Sequence, residues 1–176
     1  MSSPLRIPPG QMYALAVFCI LEGSPDMQNV AEQLKVAAVI VNRTHSSNWS
    51  TQFGGGLMDQ MFARDKNGDQ FEIIKRFGLD LGDFESLDTA ANALSEAKPA
   101  LSREWSKNNI IAFARAAADP AQYGAATKSV GENTGFRGKN GVNTFRRESP
   151  KYDATGLEAK QPSSIIVDWG KVKPTF

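Results

Sequence analysis

The stretch that decides the fold is Gln11-Met12-Tyr13-Ala14-Leu15-Ala16-Val17-Phe18-Cys19-Ile20-Leu21-Glu22-Gly23. Met12, Leu15, Ala16, Cys19 and Ile20 recur at the spacing of a buried helical face, so a core helix is expected from Gln11 to Leu21. That helix delivers Glu22 at the end of an apolar cylinder. A carboxyl group in such a place is partly desolvated, which disfavours its charged form and raises its pKa, as a proton donor near neutral pH requires. The competing role for Glu22 is a solvated helix-end carboxylate, the usual condition of a glutamate. Gly23 is suited to turning the chain at once, and Ser24-Pro25-Asp26 reads as the following loop.

Working outward, residues 1–10, with Pro4, Pro8 and Pro9, read as an extended lead-in, and Pro9-Gly10 marks the start of the first helix. A second helix is expected from Gln28 to Arg43, burying Val30, Leu34, Ala37, Ala38 and Val41 and ending in a basic turn that suits the helix dipole. Thr44 to Gly56 is rich in Ser, Asn and Gly and reads as a surface loop. Its aromatics Trp49 and Phe53 either stack on a ligand's sugar faces or pin the loop to the core. Leu57 to Phe62 reads as a short helix and Arg64 to Asp69 as a polar turn carrying an Asn-Gly signal. That turn lacks the glutamate an EF-hand needs six residues after its glycine, where Ile74 stands.

Ser86 to Trp105 carries the longest helical pattern, with Leu87, Ala90, Ala91, Leu94, Ala97, Leu101 and Trp105 on one stripe, kinked or divided at Pro99. Asn109 to Ala118 is a further apolar helix ending at Asp119-Pro120. From Tyr123 glycines punctuate the chain and the helical period is lost. Phe136, Arg137, Lys139, Phe145, Arg146 and Arg147 in this segment suit a phosphate or single-stranded nucleic-acid cradle, the wall of a sugar cleft, or a plain loop. Ser163 to Trp169 reads as one strand.

Three elements together, Leu21-Glu22-Gly23, Val36 to Val41 closing on Asn42-Arg43, and Gln70-Phe71-Glu72, resemble the spore-cortex-lytic type of cell-wall hydrolase. The domain of that family looks like a lysozyme or lytic transglycosylase. The resemblance runs from Met12 to about Glu72, and Gly141-Val142-Asn143-Thr144-Phe145 echoes a late Gly-Asn-His-x-Phe element without its histidine. It implies a single lysozyme-like domain over residues 11–176, of mainly α, α+β class with a small β or irregular part. It implies cleavage of peptidoglycan glycan strands with Glu22 as the catalytic acid. In lytic transglycosylases one carboxylate protonates the bridging oxygen and then assists the C6 hydroxyl of N-acetylmuramic acid onto C1. A hydrolase needs a second acid to activate water, and Glu72, beside Gln70-Phe71, is the foremost candidate, ahead of Asp26 and Glu32. Glu72 has a solvated helix-end role as its alternative. Asn42, Arg43, Gln70, Phe71 and Trp49 are the candidate substrate-binding residues, with Asn42 and Arg43 orienting backbone or acid groups rather than doing chemistry.

Composition bounds these readings. The chain has 176 residues, is 41% hydrophobic and carries 20 basic against 19 acidic residues, a formal charge of +1. This fits one domain with a real core and gives no global field for nucleic acid. No P-loop signature is present. One cysteine, Cys19, excludes an internal disulfide, and with His45, the one histidine, it leaves too few ligands for a structural zinc site. No metal and no cofactor are expected. Cys19 and His45 define a rival class, a Cys-His peptidoglycan amidase, although Cys19 lies in an apolar helix where a thiolate is disfavoured. A non-catalytic glycan-binding module is the third class.

No segment has the length of a membrane span. Met12 to Leu21 has the apolarity of a signal-peptide core but leads into Glu22 and Pro25 instead of a small-residue cleavage site. The expectation is a protein made in the cytoplasm that reaches the periplasm or cell wall by a secretion machine or by lysis, as an antibacterial effector or a phage endolysin. An effector of that kind would be paired with an immunity protein. A chain trimmed of its signal would read the same way.

Overall fold

A computed structural model describes residues 5–7, 9–23, 27–65, 68–139, 142–146 and 167–168. The protein is mainly helical with small two-stranded sheets, an α+β arrangement dominated by α. The order is β1 (Leu5–Arg6), α1 (Pro9–Gly23), α2 (Val30–His45), α3 (Ser47–Phe53), α4 (Leu57–Met61), β2 (Arg64–Asp65), β3 (Gly68–Asp69) and α5 (Glu72–Phe77). A 3₁₀ turn (Leu81–Phe84), α6 (Leu87–Ala97), α7 (Arg103–Ala118), α8 (Pro120–Val130), β4 (Gly135–Lys139), β5 (Val142–Arg146) and β6 (Val167–Asp168) follow. Strand β6 pairs in parallel with β1, while β2–β3 and β4–β5 are antiparallel hairpins. Among the described residues no helix is long and apolar enough to cross a membrane.

Helix α1 is the axis of the molecule. Every residue from Met12 to Ile20 is buried, so it is apolar all round instead of on one stripe, as a helix enclosed by others must be. Phe18 meets Phe62 and Phe71 edge-on, with ring centroids 5.3 and 5.5 Å away, which ties α1 to the segments that carry the site. The expected loop 24–26 lies outside the described residues, and Gly23, the last residue of the helix, lies against α2. A Cβ on it would come within 2.9 Å of the Gln33 Cα, so only glycine lets the two helices approach here.

Helix α2 is likewise buried continuously from Val36 to Arg43 and not along one stripe only. It begins where the Asn29 side chain accepts the Glu32 N–H. The expected surface loop at Thr44–Gly56 is instead largely helix α3, with Trp49 only 1% exposed. Burial of that indole overrides the weak helix propensity of Ser and Asn. Gln60 Nε2 fixes the segment by donating to the Trp49 and Gly54 carbonyls at 3.0 and 2.7 Å.

The pattern from Ser86 to Trp105 is divided near Pro99, as the sequence suggests, with α6 ending at Ala97. The new helix is capped by Ser102, whose hydroxyl accepts the Trp105 N–H at 3.2 Å. Restarting there changes the helical phase, so Trp105 leaves the expected buried stripe and is 57% exposed. Asp119-Pro120, read as a stop, is also a start: Asp119 accepts the Ala121 N–H and Pro120 takes the first position of α8. Helical structure therefore persists to Val130, beyond the expected loss at Tyr123. The glycine-rich segment after it forms a regular hairpin, β4–β5, and not an irregular loop. Of the expected Ser163–Trp169 strand, Val167–Asp168 is strand and the other residues lie outside the described set.

Candidate active site

Glu22, in the last turn of α1, opens into a cavity of about 290 Å³. One wall is the β2–β3 hairpin and the start of α5, contributing Asp65, Asp69, Gln70, Phe71 and Glu72. A further contribution comes from β4, with Phe136 and Arg137, while Arg43 reaches the cavity from the end of α2. Glu22, Arg43, Gln70, Phe71 and Glu72, distant in sequence, therefore meet at one place.

Burial pushes the Glu22 pKa up to about 6, and the neighbouring Glu72 charge pushes in the same direction. Arg76 and Arg43 pull against the shift. A carboxyl poised there is present in both protonation states near neutral pH, which suits a group that first gives and then takes a proton. Glu72 itself is exposed at the first position of α5, where the helix dipole favours an acid.

The Asn-Arg pair is chiefly architectural. The Asn42 amide donates to the Gly131 and Asn133 carbonyls, both at 2.9 Å, and Asn42 does not line the cavity. Arg43 Nε donates to the Thr134 carbonyl at 2.6 Å, and its guanidinium lies 3.9 Å from the centre of a Trp49 ring. The pair thus holds residues 131–134, which feed directly into β4. Phe136 and Phe145 then pack on Ala38, Val39 and Val130, seating the hairpin on α2 and α8.

From β5, Asn143 Nδ2 donates to the Glu22 and Gly23 carbonyls at 3.3 and 3.1 Å. These are helix-end carbonyls with no partner inside α1, so Asn143 satisfies the end of the helix and fixes the hairpin beside Glu22. Its place in the Gly141–Phe145 echo was the signal for it in the sequence.

Other expectations resolve against this geometry. Trp49 does not stack on a ligand, because its ring is buried beneath Arg43. Phe71 is 3% exposed yet borders the cavity, and Gln70 Nε2 donates to Asp65 at 3.1 Å, holding the acidic hairpin in place. Glu32 does not line the cavity and pairs with Lys35 at 2.7 Å, whereas Asp26 lies outside the described residues. Cys19 is completely buried, and burial first, then the Glu22 charge, drives its thiol well above the ordinary value. Neither Cys19 nor His45 lines the cavity. Asp65, Asp69, Phe136 and Arg137 also line the cavity, and nothing local in the sequence joins them because two short hairpins bring them together.

No protein-family model matches the chain, and no match is found among curated proteins or solved structures.

Proposed function

We propose that this protein cleaves the glycan strand of bacterial peptidoglycan, as a muramidase or lytic transglycosylase of the lysozyme-like type, with Glu22 as the general acid. The observation that carries the reading is the half-buried Glu22 carboxyl at the end of an apolar helix, opening on a cavity with a second carboxylate, Glu72. Glycosidic cleavage needs a proton delivered to the leaving oxygen and negative charge to steady an oxocarbenium-like centre. Glu22 supplies the proton, and the other acidic side chains lining the cavity supply the charge. In the transglycosylase route Glu22 returns as base to the sugar's own hydroxyl. In the hydrolase route Glu72 directs water. A buried, protonated Cys19 outside the cavity speaks against the amidase class. Delivery as an effector or endolysin remains part of the proposal.

The test is mass spectrometry of purified peptidoglycan digested by the protein. Anhydro-muramyl ends mark transglycosylation and new reducing ends mark hydrolysis. Release of stem peptides alone, or binding without cleavage, would sink the proposal.

The pH profile adds a second expectation. Because the acid works protonated, activity falls as pH rises through about 6, above the ordinary glutamate value of 4.5. In Glu72→Gln the neighbouring negative charge is gone, Glu22 is easier to ionise, and that fall moves to lower pH. A Glu72→Gln profile unmoved from wild type would separate the two carboxylates. Loss of about 10²-fold or more at every pH would mark the two-carboxylate hydrolase.

A further inference from the structure

The cavity lining carries charge of both signs. Asp65, Asp69 and Glu72 belong to the β2–β3 side, whereas Arg137 projects from β4 on the other hairpin. Two of the described residues lining the cavity are cations, and they differ in kind. Arg43 is buried, stacked on Trp49 and bonded to the Thr134 carbonyl. Arg137 is exposed and makes no side-chain hydrogen bond or ion pair among the described residues. Nearby Arg76 lies 5.3 Å over the Phe77 ring and does not line the cavity.

A neutral sugar chain is held by hydrogen bonds and ring contacts and makes no special demand for an unpaired guanidinium. An anionic ligand is repelled by the β2–β3 wall and is drawn to Arg137, whose planar fork matches a carboxylate bidentately. Phe136, the preceding residue, borders the cavity while its ring packs on Ala38, Val39 and Val130, which anchors the strand that carries Arg137.

We infer that Arg137 is the cavity's carboxylate-recognition residue, and that it orients an acidic glycan by the carboxylate borne on a sugar substituent. This rests on the proposed glycan-cleaving function and deepens it by setting the substrate class: carboxylated strands over neutral ones. In peptidoglycan that carboxylate has two sources, the lactyl group where the strand is free of peptide and the stem peptide where it is attached. The uncharged edge of the sugar then faces the acidic wall, where carboxylate oxygens accept hydrogen bonds from its hydroxyls.

The experiment compares the full chain with Arg137→Gln and Arg137→Lys on four substrates. These are peptide-free muramyl strands, the same strands with lactyl carboxylates reduced to alcohols, strands bearing stem peptides, and chitin oligosaccharides. Affinity is read by calorimetry in a Glu22→Gln background and cleavage by product analysis. The inference expects Arg137→Gln to weaken affinity about tenfold on at least one carboxylated substrate, with partial recovery in Arg137→Lys. On reduced strands and chitin the change should stay within about twofold. A loss confined to peptide-free strands assigns the lactyl group, and one confined to peptide-bearing strands assigns the stem peptide. Equal losses on charged and neutral substrates, or none on either, overturn the inference while wild-type cleavage leaves the glycan reading standing. Failure of the wild type to bind or cut any of the four overturns both.

Discussion

Glu22→Gln is expected to be folded, to bind glycan and to be inactive, with cleavage reduced by at least about 10²–10⁴-fold, the range that acid-base assistance supplies. Glutamine keeps the shape of the side chain but has no transferable proton. The helix that carries it is unaffected, since α1 is held by burial from Met12 to Ile20 and its end by Asn143 donating to main-chain carbonyls. The measurement is product release from purified peptidoglycan at the wild-type optimum, with circular dichroism to check the fold. Activity near wild type in a folded Glu22→Gln would remove the central element of the functional reading.

The same variant should be more stable than wild type at neutral pH. The Glu22 pKa is about 6 in the folded protein, above its ordinary value of 4.5, so the folded state holds that proton more tightly than the unfolded chain. The contribution to stability is therefore present below pH 4.5, is lost as pH rises towards 6, and stays lost above it. Glutamine does not ionise and escapes that loss, for a gain of about 1–2 kcal/mol above pH 6. Urea melts at pH 7 and pH 4 should separate the two proteins in the first case and bring them together in the second.

How much of this was legible depended on the range of the interaction. Met12 to Glu22 was readable because apolar residues at helical spacing and a terminal acid are local information, and the division near Pro99 was readable because proline acts on its own neighbours. What failed depended on distant partners. Trp49 sits in a Ser- and Asn-rich run that carries no helical signal, and its inward fold follows from the Arg43 guanidinium over its ring and from Gln60 holding its carbonyl. Trp105 belonged to the right pattern but to a new helix with a new phase. The site was half legible for the same reason. Glu22 and Glu72 could be named singly, while the cavity that Asp65, Asp69, Phe136 and Arg137 line with them exists only once β2–β3 and β4–β5 come to the helix end. Asn42-Arg43, the most distinctive element of the resemblance, makes its contacts with main chain and with the buried Trp49 ring.

That architectural role leads to the second large effect, on stability. Asn42→Ala removes the donor that serves both the Gly131 and Asn133 carbonyls, and a cost of about 1–3 kcal/mol is expected from leaving such groups without it. Arg43→Met keeps much of the side-chain volume but loses the bond to Thr134 and the stacked charge over Trp49, so its cost should fall in the same range or above it. Because both residues hold the same four-residue connection into β4, the double variant should lose less than the sum of the singles. Urea denaturation of the three variants measures this, and strict additivity would mean that the two side chains do not share one latch. The pH profiles should then differ in a way that general destabilisation cannot imitate. Arg43 pulls the Glu22 pKa down, so in Arg43→Met the alkaline fall in activity moves to higher pH, opposite to Glu72→Gln. Asn42 carries no charge and does not line the cavity, so Asn42→Ala should weaken the fold without a displacement of that kind.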